Sequence, residues 1–197
     1  MDSYLTISSP SEAKVVVKKS TFLAFAHPID SEEQAQALIR DYRKQYYDAR
    51  HVCYAYREWS AVEKYSDNGE PSGTAGRPMM GVLQSAGVTN VLMIVVRYFG
   101  GILLGTPGLI AAYREAAAAA LQAAEIVTRT REQQAIITCD YAAMNSVMKL
   151  LKDRSIRVIS QQTDLSCTLT ISAPVSVMAT ALPQLEKIPS VVLASSE

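Results

Sequence analysis

The spacing of hydrophobic residues divides the first two thirds of the chain into short strands and amphipathic helices. Apolar residues recur at helical spacing after Ser31, a residue suited to capping a helix, and elsewhere they alternate or run together as in strands. The predicted strands are 14–18, 21–26, 51–56, 62–65 and 91–96, with a turn around Ser60, and the predicted helices are 31–46, 79–86 and 107–124. The run 91–96 contains no polar residue, which is typical of a central strand covered on both faces.

The last third of the chain has a simpler pattern. The predicted succession is strand 135–141, helix 142–152, strand 156–162, strand 166–173, helix 175–185 and strand 191–194. This βαββαβ order describes a ferredoxin-like domain. Because residues 128–134 are mostly polar, we expect an α+β protein of two domains, an N-terminal α/β domain over 1–129 and a ferredoxin-like domain over 130–197.

Composition and charge exclude several classes of protein. The chain carries 19 basic and 19 acidic residues, so it is not a strongly basic nucleic-acid module, although a local basic patch is compatible with a neutral total. Cys53, Cys139 and Cys167 lie far apart without a C-x-x-C motif, and His27 and His51 are the two histidines, so we expect neither a disulfide framework, a metal site nor a cofactor. No apolar segment approaches about 20 residues, so we expect a cytosolic protein that does not enter membranes.

The stretch 65–78 is the densest in functional groups. It combines three glycines and two prolines with Asp67, Glu70 and Arg77, so regular secondary structure is not expected there. A loop of this length with so many donors and acceptors indicates a binding surface. The alternative is a rigid surface loop whose polar side chains only cap its own turns.

A second glycine-rich segment joins the central strand to the long alanine-rich helix. It contains Gly100, Gly101 and Gly105, and Thr106 is expected to be the N-cap of the helix. Free backbone N–H groups at such a helix start attract phosphate or carboxylate groups. No familiar nucleotide-binding motif is present, so a close-packed glycine corner is the alternative.

Five charged or titratable side chains in these segments are candidates for chemistry. His51 is placed to reach Asp67 or Glu70 for acid–base work, or else to bond a neighbouring carbonyl as a strand residue. Arg77 and Arg97 lie at the ends of the two loops, where they can hold a phosphate or carboxylate in forked geometry. They can equally form a salt-bridge cluster with the two carboxylates, without any ligand.

Three blocks of sequence in this order resemble the YigZ/IMPACT family, specifically a bacterial two-domain member. The blocks are Ala49-Arg-His-Val-Cys-Tyr-Ala-Tyr56, Ser66-Asp-Asn-Gly-Glu-Pro-Ser-Gly-Thr-Ala-Gly-Arg-Pro78 and Arg97-Tyr-Phe-Gly-Gly-Ile-Leu-Leu-Gly105. The resemblance implies an N-terminal domain similar to domain IV of elongation factor G, with a ribosomal-protein-like βαβ unit. It also implies a link to translation, because eukaryotic members are translational regulators and bacterial members are proposed to bind nucleic acid or ribosomes.

The chain departs from the family pattern at several positions. Asn68 stands where the family usually has aspartate, and Thr21, Leu103 and Ala111 stand where it often has a basic residue. Three possible cations are therefore missing. If RNA bound along these loops, this chain would bind it more weakly than other members. The slope of the logarithm of the binding constant against the logarithm of salt concentration would fall in magnitude by about one unit for each lost phosphate contact.

The sequence thus predicts a cytosolic binding protein linked to translation regulation, which recognises RNA, the ribosome or a regulatory protein through a cleft formed by 50–78 and 97–108. No membrane or sequence-specific DNA is expected as a partner, and no residue is assigned a catalytic role. The predicted ligand-binding residues are His51, Asp67, Glu70, Arg77, Arg97, Gly100, Gly101, Gly105 and Thr106. The alternative is an enzyme acting on a small phosphorylated or carboxylated substrate, with a histidine or carboxylate as acid or base and the arginines as clamps. A third possibility is a purely structural loop.

Overall fold

The computed structural model of the chain describes residues 2–59 and 62–195 and divides them into two compact units. Residues 4–129 form one unit, and residues 2–3 together with 130–195 form the other. The turn predicted around Ser60 lies outside the described residues.

The chain from Ser3 to Thr130 contains seven strands and three helices within the described residues. They are β1 (Ser3–Ile7), β2 (Ser11–Val17), β3 (Ser20–Pro28), α1 (Glu32–Gln45), β4 (His51–Arg57), β5 (Glu63–Ser66), α2 (Gly76–Ser85), β6 (Val91–Tyr98), α3 (Gly105–Gln122) and β7 (Ile126–Thr130). Five strands form a sheet in the order β2-β3-β6-β4-β5, and β1 pairs with β7 in a separate ribbon.

The five-stranded sheet is built from two interleaved crossover units. Each neighbouring pair is antiparallel, so β3 and β4 run parallel on either side of β6 and are joined by α1. In the same way β5 and β6 run parallel on either side of β4 and are joined by α2. Strand β6, the predicted central strand, does lie in the middle of the sheet, and its residues from Val91 to Arg97 are buried.

Helices cover both faces of this sheet. On one face α1 packs its Ile39 against Tyr56 and Leu92, and its start is capped by Ser31, whose side chain accepts a hydrogen bond from the Gln34 backbone as the pattern predicted. On the other face α2 and α3 form a second core with the sheet, including Phe22, Met79, Leu83, Met93 and Tyr113. The polar cluster described below lies at the edge of this second core.

The second unit contains four strands and two helices in the predicted βαββαβ order. They are β8 (Glu132–Cys139), α4 (Tyr141–Asp153), β9 (Arg157–Thr163), β10 (Cys167–Pro174), α5 (Val175–Leu185) and β11 (Val192–Ser195). The strands form an antiparallel sheet in the order β11-β8-β10-β9, and α4 and α5 pack against a core that includes Ile137, Val147, Leu169 and Met178. The three cysteines of the chain are free and buried, as expected for core thiols.

Strands β1 and β7 were not predicted, and several predicted boundaries were wrong, three of them because of local capping or turn geometry. Tyr141 begins α4 instead of ending a strand, because the Asp140 carboxylate accepts the capping hydrogen bond from Ala143. Helix α2 begins at Gly76 rather than at residue 79, and its Pro78 is tolerated because backbone N–H groups of the first turn have no partner within the helix. Helix α3 begins at Gly105 and no side chain caps it, so Thr106 lies in the first turn and is not the N-cap.

Candidate functional site

Strand pairing places the side chains of two predicted site residues, His51 and Arg97, in one row across the sheet with that of Phe22. Arg97 on β6 is directly opposite His51 on β4 and Phe22 on β3. Directly opposed residues present their side chains to the same face of a sheet. Because Phe22 belongs to the core under α2 and α3, His51 and Arg97 lie on that face as well.

The loop 67–75, between β5 and α2, is organised by the Asp67 carboxylate. Its oxygens accept hydrogen bonds from the backbone N–H groups of Gly73 at 2.7 Å, Ala75 at 2.9 Å and Gly76 at 2.8 Å. The carboxylate therefore caps the start of α2, where the helix dipole also favours a negative charge. This is the predicted alternative in which a polar side chain of the loop serves its own turn, so Asp67 has little capacity left for a ligand.

Asn68 fixes the orientation of His51. The Asn68 side-chain oxygen accepts a hydrogen bond from the Val52 backbone at 2.8 Å, and its carbonyl lies 2.9 Å from Nδ1 of His51. A carbonyl can only accept, so Nδ1 carries the proton. The other ring nitrogen, Nε2, lies 3.9 Å from Oε1 of Glu70 and makes no hydrogen bond to the described protein. The prediction that His51 bonds a neighbouring carbonyl is confirmed, and Nε2 remains without a hydrogen-bond partner in the described protein.

Glu70 and Arg97 form a buried ion pair. Oε1 of Glu70 accepts hydrogen bonds from Nη1 of Arg97 at 2.6 Å and from the hydroxyl of Tyr113 at 2.8 Å. The side chain of Glu70 is 3% exposed, and that of Arg97 is 7% exposed. Burying two charges costs free energy, which a short ion pair with additional hydrogen bonds offsets. The predicted salt-bridge cluster therefore exists for this pair.

One residue of the cluster, Tyr113, was not among the predicted site residues. It lies on α3, is fully buried, and joins the helix to the cluster through Glu70, while Sγ of Cys53 lies 3.4 Å from its hydroxyl and 2.9 Å from the Asp67 carbonyl. Burial raises the pKa of Tyr113, and it raises the pKa of Cys53 to about 12, so the thiol is not a nucleophile at neutral pH. Two signals were available. Ala112-Tyr113 belongs to the sequence pattern that resembles the family, and Tyr113 is a tyrosine within an otherwise alanine-rich helix.

The segment 99–104, between β6 and α3, is apolar, in contrast to the polar loop 67–75. A Cβ at Gly100 would lie 2.0 Å from the carbonyl carbon of Lys19, so this is a close-packed glycine corner, and the Gly100 N–H donates to Ser20 Oγ at 3.2 Å. Three of the four large apolar side chains of the segment are exposed instead, and the fourth, Leu104, packs partly against the core. The exposed three are Phe99 at 52%, Ile102 at 42% and Leu103 at 84%.

The structure does not bring all the predicted residues together. Arg77 is exposed in the first turn of α2 and has no ion pair or hydrogen bond to the described side chains, so the predicted clamp of Arg77 with Arg97 is not formed. Gly101 and Gly105 have φ values of +84° and +71° and shape the approach to α3 together with Thr106. In residues 2–59 and 62–195 no group of three histidine, cysteine, aspartate or glutamate side chains is arranged to hold a metal ion. No helix in the same ranges is long and apolar enough to cross a membrane.

One buried nitrogen of the cluster has no hydrogen-bond partner among the described residues. Nε of Arg97 is buried and makes no hydrogen bond. The centre of the guanidinium lies 5.6 Å from the ring of Phe22 and 5.8 Å from that of Phe99, within cation–π range of both. The arrangement defines a mixed α+β protein with a preformed polar cluster whose Arg97 lies beside Phe99, the first residue of an exposed apolar segment.

Comparison with known proteins gives the family. Residues 18–121 match the model of the Impact N-terminal domain. The chain is 32% identical to IMPACT family member YigZ of Escherichia coli strain K12, over 91% of this chain and 90% of that protein. It is 35% identical to IMPACT family member YvyE of Bacillus subtilis strain 168, over 78% of this chain and 71% of that protein. The chain belongs to the IMPACT family.

A solved structure supports the fold over the whole chain. A crystal structure described as that of a hypothetical protein aligns with a TM-score of 0.73 and 32% sequence identity, covering 100% of this chain and 98% of the other. Family membership confirms the resemblance drawn from the three sequence blocks.

Proposed function

We propose that this chain is a cytosolic binding protein linked to translation regulation, which recognises RNA, the ribosome or a regulatory protein through a cleft formed by 50–78 and 97–108. Membership of the IMPACT family supports the link to translation that the resemblance of the three sequence blocks implies. We also propose that the two domains are 1–129, similar to domain IV of elongation factor G, and 130–197, ferredoxin-like. The two βαβ crossovers and the antiparallel βαββαβ sheet are consistent with those comparisons.

The observation that supports binding best is the contrast between a fixed polar cluster and an exposed apolar segment beside it. Glu70 and Arg97 are held by Tyr113 on α3 and by the register of β4 and β6, so the cluster is preorganised. Phe99 contacts the guanidinium and is half exposed. Exposed apolar side chains next to fixed polar groups are typical of interaction surfaces.

The first experiment is co-sedimentation of the purified protein with ribosomes and with bulk RNA, at low and near-physiological salt. The test variant carries Ile102→Ser and Leu103→Ser, because both side chains are exposed and the fold does not depend on them. Arg77→Ala tests whether the exposed arginine contributes. Binding that persists near physiological salt and is weakened in the double variant supports the proposed cleft.

The same experiment contains the outcomes that contradict the proposal. Equal co-sedimentation of the wild-type and the double variant would move the working surface elsewhere. Absence of co-sedimentation even at low salt would exclude RNA and the ribosome as direct partners and would leave a regulatory protein as the candidate. The amount of that protein captured by the immobilised wild-type protein and by the immobilised double variant would then be compared.

The second candidate is an enzyme acting on a small carboxylated or phosphorylated substrate. The orientation of His51 favours it, since Nδ1 is fixed by a carbonyl and Nε2 is left to take a proton beside Glu70 and Arg97. A screen of phosphorylated and carboxylated metabolites tests this with His51→Gln as the variant. Turnover that His51→Gln abolishes would support catalysis, and turnover that survives it would remove His51 from the mechanism.

A further inference from the structure

The Nε–Nη2 edge of the Arg97 guanidinium has no hydrogen-bond acceptor in the described structure, and this is the strongest sign of a ligand. The residue is 6% exposed, and its Nη1 is committed to Glu70, whereas Nε is buried without a partner and Nη2 makes no hydrogen bond to the described protein. A buried donor without an acceptor costs about 1–3 kcal/mol. Native proteins rarely tolerate such a group unless water or a ligand completes it.

The geometry of that edge selects one kind of acceptor. Nε and Nη2 lie side by side in the guanidinium plane and donate two parallel hydrogen bonds, which match the two oxygens of a carboxylate or a phosphate. Glu70 already takes the other end of the guanidinium. A second acidic group can therefore bind the same arginine without displacing the ion pair.

The surroundings favour a protein carboxylate over an RNA phosphate. Binding of an RNA backbone relies on several clustered cations. The charged side chains of the loop 67–75 are two carboxylates, and the segment 99–104 carries none, so the exposed cations next to them, Lys19, Arg50 and Arg77, are not joined by further cations from the two loops. That segment offers instead the exposed side chains of Phe99, Ile102 and Leu103. Aromatic and aliphatic groups around a buried arginine are the composition of a protein interface core.

We propose that the cleft binds an acidic, otherwise apolar peptide segment of a partner protein. A carboxylate of the segment accepts hydrogen bonds from Nε and Nη2 of Arg97, and its apolar side chains pack on Ile102 and Leu103. Because Nε is covered in the free protein and Phe99 lies against the guanidinium, binding includes a movement of the Phe99 side chain. This inference rests on the proposed function, since it names the partner class of the same cleft.

Nuclear magnetic resonance of the full-length protein, labelled with nitrogen-15, tests the proposal directly. The Nε–H signal of Arg97 is assigned by its absence in Arg97→Lys, and the protein is titrated with acetyl-Leu-Glu-Phe-Leu-amide. Two control peptides follow: the same peptide with glutamine in place of glutamate, and that glutamine peptide with a free C-terminal carboxylate. We expect the glutamate peptide to shift the Arg97 signal and to bind about tenfold or more tightly than the blocked glutamine peptide.

The controls assign each part of the binding. The glutamine peptide with the free end distinguishes a chain-end carboxylate from a side-chain carboxylate, and a shift of the Arg97 signal by either supports the proposal. Ile102→Ser with Leu103→Ser should weaken peptide binding several-fold. Leu165→Ser should leave it unchanged, because Leu165 is an exposed leucine of the second unit and lies outside the cleft residues 50–78 and 97–108.

Three results would overturn the inference. Equal affinity for the glutamate peptide and its blocked glutamine twin would exclude carboxylate recognition. An Arg97 signal that no peptide moves would assign the Nε partner to an internal water molecule. A shift of that signal by oligouridine at lower concentration than by any peptide would make RNA the occupant, so the inference would fail while the proposed function stands. The proposed function fails separately, if ribosome, RNA and regulatory-protein binding are all absent.

Discussion

The two glycine-rich loops of the N-terminal unit are alike in composition but are held in different ways. The loop 67–75 is fixed by hydrogen bonds from its own backbone to Asp67, and its Glu70 is buried in an ion pair. The segment 99–104 is fixed at Gly100 by close backbone packing and leaves the side chains of Phe99, Ile102 and Leu103 exposed. The polar loop is therefore mainly structural scaffold, and the apolar segment offers the free surface. Substitutions in the two loops should accordingly differ in kind.

The largest effect is expected from Glu70→Ala. The change leaves the Arg97 charge buried without its counterion and removes the acceptor of the Tyr113 hydroxyl. We expect a loss of about 3–5 kcal/mol in the free energy of unfolding. Urea unfolding measures it, with Glu70→Gln as the milder companion that keeps one acceptor. A loss below about 1 kcal/mol would show that the ion pair does not hold the polar loop.

The second largest loss of stability is expected from removing the side chain that caps α2. Asp67→Ala removes the acceptor of three backbone N–H groups at the start of the helix. We expect a loss of about 2–3 kcal/mol, because hydrogen bonds to a charged group and a helix cap disappear together. Asp41→Ala is the matched control, since Asp41 is exposed on α1, and it should change stability by less than about 0.5 kcal/mol. Equal stability of the two variants would contradict the capping role.

Gly100→Ala tests the packing that holds the apolar segment. The new Cβ would lie 2.0 Å from the Lys19 carbonyl carbon, so the backbone must shift, and we expect a loss of about 1–3 kcal/mol. The control is Gly81→Ala in the middle of α2, where a Cβ meets nothing within 4 Å. That change should stabilise by about 0.5–1 kcal/mol, because alanine favours a helix over glycine. Thermal unfolding compares the two, and the same sign for both would refute the packing argument.

Sequence patterns predicted the elements well because burial imposes periodicity. The apolar run of β6 indicated a strand covered on both faces, and the structure confirms it. The predicted pairing of Arg97 with Glu70 is also confirmed, but not the shared clamp with Arg77. Which of two arginines is buried depends on strand register, since Arg97 lies opposite His51 and Phe22. Register between strands distant in the chain cannot be read from local spacing.

Tyr113 shows the same limit from the side of the helix, whereas the start of α3 depends on local geometry. The alanine-rich pattern predicts the helix that contains Tyr113, but the hydroxyl has a role because Glu70 arrives from another loop. Thr106 followed by proline predicted the N-cap, yet the helix begins at Gly105, which adopts a φ of +71°. A long-range contact decides the role of Tyr113, and the local turn decides where α3 begins.

The smallest effect on stability, and the one that separates the loops most sharply, is expected from Leu103→Ser. The side chain is 84% exposed, so the free energy of unfolding should change by less than about 0.5 kcal/mol. Association with the partner should nevertheless weaken several-fold, because an exposed apolar contact of the segment 99–104 is lost. Thermal unfolding and binding measured on one preparation give both quantities. Leu165→Ser is the control, since Leu165 is also an exposed leucine, at 95%, but belongs to the second unit. If Leu103→Ser and Leu165→Ser weaken association equally, the apolar segment has no special role, and the contrast between the two loops describes stability alone.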